Sequence, residues 1–232
     1  SGPLAASADL FDGRVWAVTP HDRAEQAAVE AVAGLARECG AEPVTMSPDE
    51  HDEAVARVSH VPHVLAVLAA ARLDGAPGEH LRLSGQGLRD VTRIAAGDPG
   101  LWQQILRGNA AALVRLLSDV RVDLDRFIGE LSSSAPRVEA LLQRGVAGTH
   151  AIPGKHGGPL RAVDTVFVLV PDRPGELGRL WASSGDVGIN IEDVRIDHVL
   201  GRPSGLVELS VPEGDGARLA AALVERGWAV HR

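Results

Sequence analysis

His60 and His63 stand three residues apart in the segment Ser59-His60-Val61-Pro62-His63, which packs a hydroxyl and two imidazoles into five positions. On a helix, residues three apart lie on nearly the same face. Pro62 removes a backbone donor and is expected to bend that helix locally. Such a cluster suits hydrogen bonding to a small polar molecule, through His63 first and then His60 and Ser59. A metal is not expected, because no third ligand at a suitable spacing accompanies the pair. His51 lies nine residues before His60 and would face the other way on a straight helix. Each histidine also has a plainer reading, as a core residue with its ring nitrogens satisfied internally.

Arg93 follows the glycine-containing turn of Gly85-Gln86-Gly87 and precedes an apolar patch. A planar guanidinium can grip a carboxylate through two parallel hydrogen bonds, which makes Arg93 the first choice for holding an anion. Arg89, one turn earlier on the same helix face, is its competitor. Gly87 lets a backbone approach a ligand closely. Trp102 would wall the site or buttress Arg93, and a core role suits it equally. A second set lies near the C-terminus. Asp172-Arg-Pro-Gly175-Glu-Leu opens a helix, and a helix N-terminus with glycine at its start offers free N–H groups to a carboxylate. Gly188 and Asn190 follow in Gly185-Asp-Val-Gly-Ile-Asn-Ile; the Asn190 amide can both donate and accept. These two glycines could equally serve only as tight turns.

The elements that must position these residues fall into three blocks. Residues 1–47 contain the β-rich run Arg14–Thr19, a helical stretch Arg23–Cys39 with apolar residues at three-to-four spacing, and a second short strand at Glu42–Met46. One strand–helix–strand unit cannot cover both faces of a parallel sheet, so the block reads as the tail of a larger α/β domain. Residues 48–147 read as helical, starting at Ser47-Pro48-Asp49-Glu50 with a capping serine, a first-turn proline and acids near the positive end of the dipole. One long helix is expected over Pro99–Arg126, with an apolar stripe at Leu113, Leu116, Leu117, Val120, Leu124 and Phe127 suited to helix packing or dimerisation. A glycine- and proline-rich linker follows at 148–161. Residues 162–232 read as strand Thr165–Val170, helix Pro174–Ser183, strands Ile189–Ile196 and Gly205–Val211, helix Gly216–Arg226 and strand Trp228–His231. That β-α-β-β-α-β order is ferredoxin-like. The fold class is therefore multi-domain: a partial α/β Rossmann-like piece, an all-α domain and an α+β domain.

Hydrophobic residues make up 45% and charged residues 23% of the chain, as in ordinary globular proteins. A net charge of −8 speaks against nucleic acid or an anionic membrane as partner. No apolar run is expected to reach bilayer-spanning length, and the first residues lack the pattern of a signal peptide. The single cysteine, Cys39, rules out an internal disulfide and fits a reducing, cytoplasmic setting.

The segments Glu50-His51-Asp52, Ser59–His63, Gly85–Ala95 continuing to Asp98-Pro99-Gly-Leu-Trp102, and Leu10–Pro20 together resemble the prephenate dehydrogenase family. The last block, through Asp172–Leu177 and Gly185–Ile191, resembles an ACT regulatory domain. The resemblance implies oxidative decarboxylation of prephenate to 4-hydroxyphenylpyruvate in tyrosine biosynthesis, with NAD or NADP as cofactor and a homodimeric, cytoplasmic enzyme. It implies that prephenate, a dianion, meets Arg93, His63, His60, Ser59, Gly87 and Trp102. An aromatic amino-acid effector, tyrosine or phenylalanine, would meet Asp172, Gly175, Gly188 and Asn190. The family's general base, a histidine of a His-Pro motif, is expected before Ser1, and no Gly-x-Gly-x-x-Gly follows a strand here. No catalytic residue is therefore assigned within the chain, and by itself it is expected to be inactive. The alternatives are arogenate as substrate, or a non-catalytic amino-acid-binding regulatory dimer module.

Overall fold

A computed structural model describes residues 6–134, 136–153, 162–198 and 203–231. Most of the expected linker, 154–161, lies outside them. The chain divides into two compact units. The first holds residues 1–81 and 90–129, the second residues 82–89 and 130–232.

The first unit opens with strand β1 (Val15–Val18), helix α1 (Gln26–Glu38) and strand β2 (Glu42–Thr45). The strands pair in parallel, with Val15 opposite Glu42 and Val18 opposite Thr45. Parallel neighbours need a helical crossover, and α1 supplies it. Gly40, at φ 79°, turns the chain from α1 into β2. Both strands are a residue or two shorter than the sequence suggests.

A continuous helical run of 24 residues then extends from Pro48 to Ala71. It comprises α2 (Pro48–Val55), a π-helical turn (Ala56–His60) and α3 (Val61–Ala71). Ser47 and Glu50 form a reciprocal capping box at its start. The Ser47 backbone N–H, and then its hydroxyl, hold the Glu50 carboxyl below its usual pKa. This run corrects the expectation that no segment reaches bilayer length: by length and composition, with a mean hydropathy of 1.5 over its apolar window, it is sufficient. Within that window lie His60 and His63, whose ring nitrogens lipid would leave unpartnered.

Helix α4 (Gly78–Leu81) and α5 (Gln86–Arg93) follow, and α5 leads into a 3₁₀ turn, Ile94–Ala96, that packs on α3. The expected long helix from Pro99 is two helices, α6 (Pro99–Gly108) and α7 (Ala110–Leu131). The Asp98 carboxylate caps α6 at the Leu101 N–H, 2.7 Å away. Asn109 breaks the run: its φ of −120° is not helical, and its side chain turns inward. On α7, Leu113 is buried, whereas Leu124, Ile128 and Leu131 are exposed. Helix α8 (Glu139–His150) reaches into the span expected to be linker, so the helical pattern ends three residues later than the sequence boundary.

In the second unit the element order from Val163 is β3 (Val163–Pro171), α9 (Glu176–Gly185), β4 (Asp193–His198), β5 (Ser204–Pro212), α10 (Gly216–Glu225) and β6 (Ala229–His231). The antiparallel sheet runs β4-β5-β3-β6. Period-two alternation buries Val166, Val168 and Val170 of β3 and Val207, Leu209 and Val211 of β5 against Leu180, Leu219 and Leu223 of the helices. Strand β4 begins later than expected. Gly188, at φ 67°, and the bond from Asn190 Nδ2 to Glu192 Oε1 (2.8 Å) keep the preceding residues out of the ladder, whose first bond is Glu192 N–H to Ser210 O.

Asp164 ties β3 to α10. Its Oδ2 accepts from the Gly214 and Gly216 N–H groups at 2.9 and 3.0 Å, serving the helix N-terminus from a neighbouring strand. A Cβ at residue 216 would lie 2.6 Å from the Asp164 Cβ, so only glycine allows this approach. Asp164→Ala should cost the second unit about 1–2 kcal/mol, the scale of a lost cap. Chemical denaturation should show a lower midpoint; an unchanged midpoint would contradict the capping role.

Candidate functional site

The site is built on the π turn. The Val61 N–H bonds to the Ala56 carbonyl, five residues back, instead of the usual four. Pro62 explains why the ladder loosens here, since it has no N–H to offer the preceding turn. The extra residue changes what faces what. Eight positions separate Asp52 and His60, which on a regular helix leaves them about 80° apart. With one residue absorbed by the wider turn, they come within about 20° of two full turns, on one side of the helix.

That side is closed by α6 and the start of α7. His60 and His63 are both buried, at 7% and 4% exposure. The His63 ring lies flat on the Trp102 indole, with centroids 3.4 Å apart and planes 7° from parallel. His60 meets the same indole edge-on, at 6.4 Å and 89°. Gly97 backs the stack: a Cβ there would overlap the indole, lying 2.7 Å from Cδ1, and would touch His63 Cε1 at 3.5 Å. Asn109, 9% exposed, completes the cluster. Its Nδ2 donates to the Asp52 carbonyl at 2.7 Å and stands 3.4 Å from His60 Nδ1. Among the described residues, His63 Nδ1 is buried without a hydrogen-bond partner. An unpaired buried polar atom costs about 1–3 kcal/mol, so it marks either stored strain or a ligand contact.

The structure thus brings together His60, His63 and Trp102 of the expected residues. It adds Asn109 and Gly97, which sequence reasoning missed. Asn109 sat inside what reads as a continuous helix, and its one signal was the Gly108-Asn109 pair, a helix-stop signature in an apolar run. Trp102 is a ring partner of both histidines. Ser59 does not join them: it is exposed, because consecutive helical residues point about 100° apart. His51 pairs with the Asp52 carboxylate at 3.2 Å, outside the stack. Arg93 is exposed at the end of α5, directly before the turn that packs on α3, and no hydrogen bond or ion pair to the described residues holds its guanidinium. Gly87 belongs to the second unit, as the second residue of α5, where first-turn N–H groups lack helical partners.

In the second unit, Gly175 caps α9 in the left-handed region at φ 89°, with Glu176 in the first turn. Asp172 and Asn190 are exposed, and the Asn190 amide is engaged by Glu192. Asn190 is not left-handed, since only glycines have positive φ among the described residues. Across the helix, Arg179 stacks over Trp228 at 4.0 Å, and the Trp228 indole Nε1–H donates to the Ser183 hydroxyl at 3.2 Å.

A family model described as the dimerization domain of prephenate dehydrogenase matches residues 47–143, the stretch that carries the histidine–tryptophan cluster. The probable prephenate dehydrogenase of Streptomyces niveus is 35% identical over 240 residues, covering 98% of this chain and 66% of that relative. This chain belongs to the prephenate dehydrogenase family. The prephenate dehydrogenase of Bacillus subtilis is 26% identical over 229 residues, covering 97% of this chain and 62% of its own length. Among solved structures, prephenate dehydrogenase from Aquifex aeolicus in complex with hydroxyphenyl propionate and NAD+ is 25% identical, with a TM-score of 0.55 over 61% of this chain and 51% of that one. The chain spans less than two thirds of the length of these curated relatives.

Gly97 adopts φ −67° and ψ 157°, a conformation open to alanine, so a methyl group there acts by overlap alone. Gly97→Ala should displace the Trp102 ring from His63. The His63 ring protons, shielded by the indole, should move downfield in the NMR spectrum, and unchanged shifts would refute the stack.

Proposed function

We propose that this chain forms the substrate-binding, dimerising and regulatory portion of a prephenate dehydrogenase, the enzyme that converts prephenate to 4-hydroxyphenylpyruvate in tyrosine biosynthesis. The observation that carries this reading is the buried His60–His63–Trp102 cluster, with the unpartnered His63 Nδ1, inside the residues matched by the family model. The Aquifex relative, solved with a phenolic acid and NAD+, supports it further. A bound nicotinamide would supply the oxidant, accepting a hydride from the ring as carbon dioxide departs and the ring becomes aromatic. The chain's own residues would bind and orient the acid. His63 Nδ1 offers a hydrogen bond in a dry setting, where such bonds discriminate strongly. Arg93 supplies a guanidinium for a carboxylate, and the Trp102 indole covers the buried histidine rings from water.

The β1–α1 connection offers the cofactor no cradle. Strand β1 leads into α1 through Thr19-Pro20-His21-Asp22-Arg23-Ala24-Glu25, which has no glycine to bring backbone N–H groups to a pyrophosphate. We read β1-α1-β2 as the end of a nucleotide-binding domain, and NAD as the cofactor type, on the strength of the longer relatives. A homodimer is supported by the description of the family model and by the first unit's surface. Its buried residues are mostly alanines, while Leu68, Leu101, Val114, Val122 and Leu124 are exposed. The second unit's strand order and its Gly175 helix start support a ferredoxin-like ACT module that binds an aromatic amino acid near Asp172, Gly175, Gly188 and Asn190. Gly175 N–H lies at the positive end of α9, whereas Asn190 would first have to release Glu192.

In the complete enzyme, Arg93→Ala should raise KM for prephenate about 10- to 150-fold, the equivalent of about 1.5–3 kcal/mol for a charge-assisted bond. An unchanged KM for prephenate would remove Arg93 from the site. Running arogenate in parallel identifies the preferred substrate. Tyrosine or phenylalanine should give binding heat and raise the thermal midpoint by mass action. If neither heat nor shift appears, the effector role is withdrawn.

A further inference from the structure

The Asn109 amide is oriented without ambiguity. Its partner at 2.7 Å is the Asp52 carbonyl oxygen, which can only accept, so the atom facing it must be the NH₂ group. That same Nδ2 lies 3.4 Å from His60 Nδ1. An NH₂ nitrogen has no lone pair to give. The contact is favourable only if His60 Nδ1 is bare and accepts the second amide hydrogen, which places the ring proton on Nε2. Three features hold this arrangement in place. Asn109 sits at the junction of α6 and α7, with its N–H bonded to Ile105 O and its carbonyl accepting from the Leu113 N–H. The π turn brings Asp52 and His60 to the same side of the helix, so one amide reaches both. The Trp102 edge limits rotation of the His60 ring.

We propose that Asn109 is a positioning residue that locks His60 in the Nε2–H tautomer, so that the ring offers a donor, and not an acceptor, at the edge away from Asn109. The matching ligand group is an oxygen acceptor: a carboxylate, a carbonyl or a hydroxyl lone pair. It cannot be a group that must donate. Only the meaning of this donor for substrate depends on the proposed function; the tautomer itself does not. His60 is thereby assigned to orienting an oxygen of the substrate and not to taking a proton through its outer nitrogen, since a nitrogen already carrying hydrogen cannot serve as a base.

The test is a two-bond ¹H–¹⁵N correlation spectrum of the histidine-labelled full protein at a pH where imidazoles are neutral. His60 signals are assigned by their loss in His60→Gln. The expected result is an unprotonated Nδ1 and a protonated Nε2 for His60. Asn109→Asp, whose carboxylate can only accept, should reverse the pair, and Asn109→Ala should give a mixture of both tautomers. A wild-type His60 protonated at Nδ1 would overturn the proposal, as would a tautomer unchanged in folded Asn109→Asp or Asn109→Ala protein. If both variants fail to fold, the wild-type spectrum decides alone. Failure of the complete enzyme to turn over prephenate would count against the proposed function and leave the His60 tautomer, and the role of Asn109 in fixing it, untouched.

Discussion

Pro62 has no N–H to offer the preceding turn, and just before it this chain widens one turn, so that the Val61 N–H reaches back five residues to the Ala56 carbonyl. The helix stays continuous and takes in one additional residue. Everything after the turn is rotated by about 100° relative to what precedes it. His60 and His63 therefore face inward together with the Asp52 carbonyl, where Asn109 can meet Asp52 ahead of the wide turn and His60 at its end. Without that rotation the Asn109 amide could satisfy one partner but not the other.

The two units solve their packing in different ways. The second buries valines and leucines from alternate positions of two long paired strands under two helices, which removes large apolar surface from water. The first buries chiefly alanines and leaves many leucines and valines outside. Small side chains let helices approach closely but give little area, so order in the first unit depends more on specific contacts: the capping box, the Asp98 cap, and the histidine–tryptophan–asparagine cluster. A surface so rich in apolar groups is what a dimerising domain would present to its partner.

The histidine segment departs from local preference in ways that point to a functional constraint. A π turn, a buried imidazole with an unpaired nitrogen, and a glycine pressed against an indole each carry a cost. They coincide within one cluster, inside the stretch that carries the family match. Several such costs within one cluster are what a site held ready for a ligand looks like.

Much of the order of elements was legible in the residues themselves. Punctuation by Ser47-Pro48, Asp98-Pro99, Gly175 and Gly188, and the period-two runs around Val166–Val170 and Val207–Val211, rest on local backbone and side-chain physics. So does the pairing of His60 with His63 by spacing. Three things were not legible. The break at Asn109 depends on its amide finding Asp52, 57 residues away, and no window of sequence contains both. The inward facing of His60 together with the Asp52 carbonyl follows from a phase shift that periodicity counting at 3.6 residues per turn does not anticipate. The late start of β4 follows from a hydrogen bond between side chains two residues apart competing with the ladder. The sequence by itself determined which elements form and which chemistry they carry, because capping, turn and alternation energies act over a few residues. Only the tertiary structure decided which of those groups meet and which ring nitrogen is free, because burial and hydrogen-bond satisfaction are settled between residues far apart along the chain.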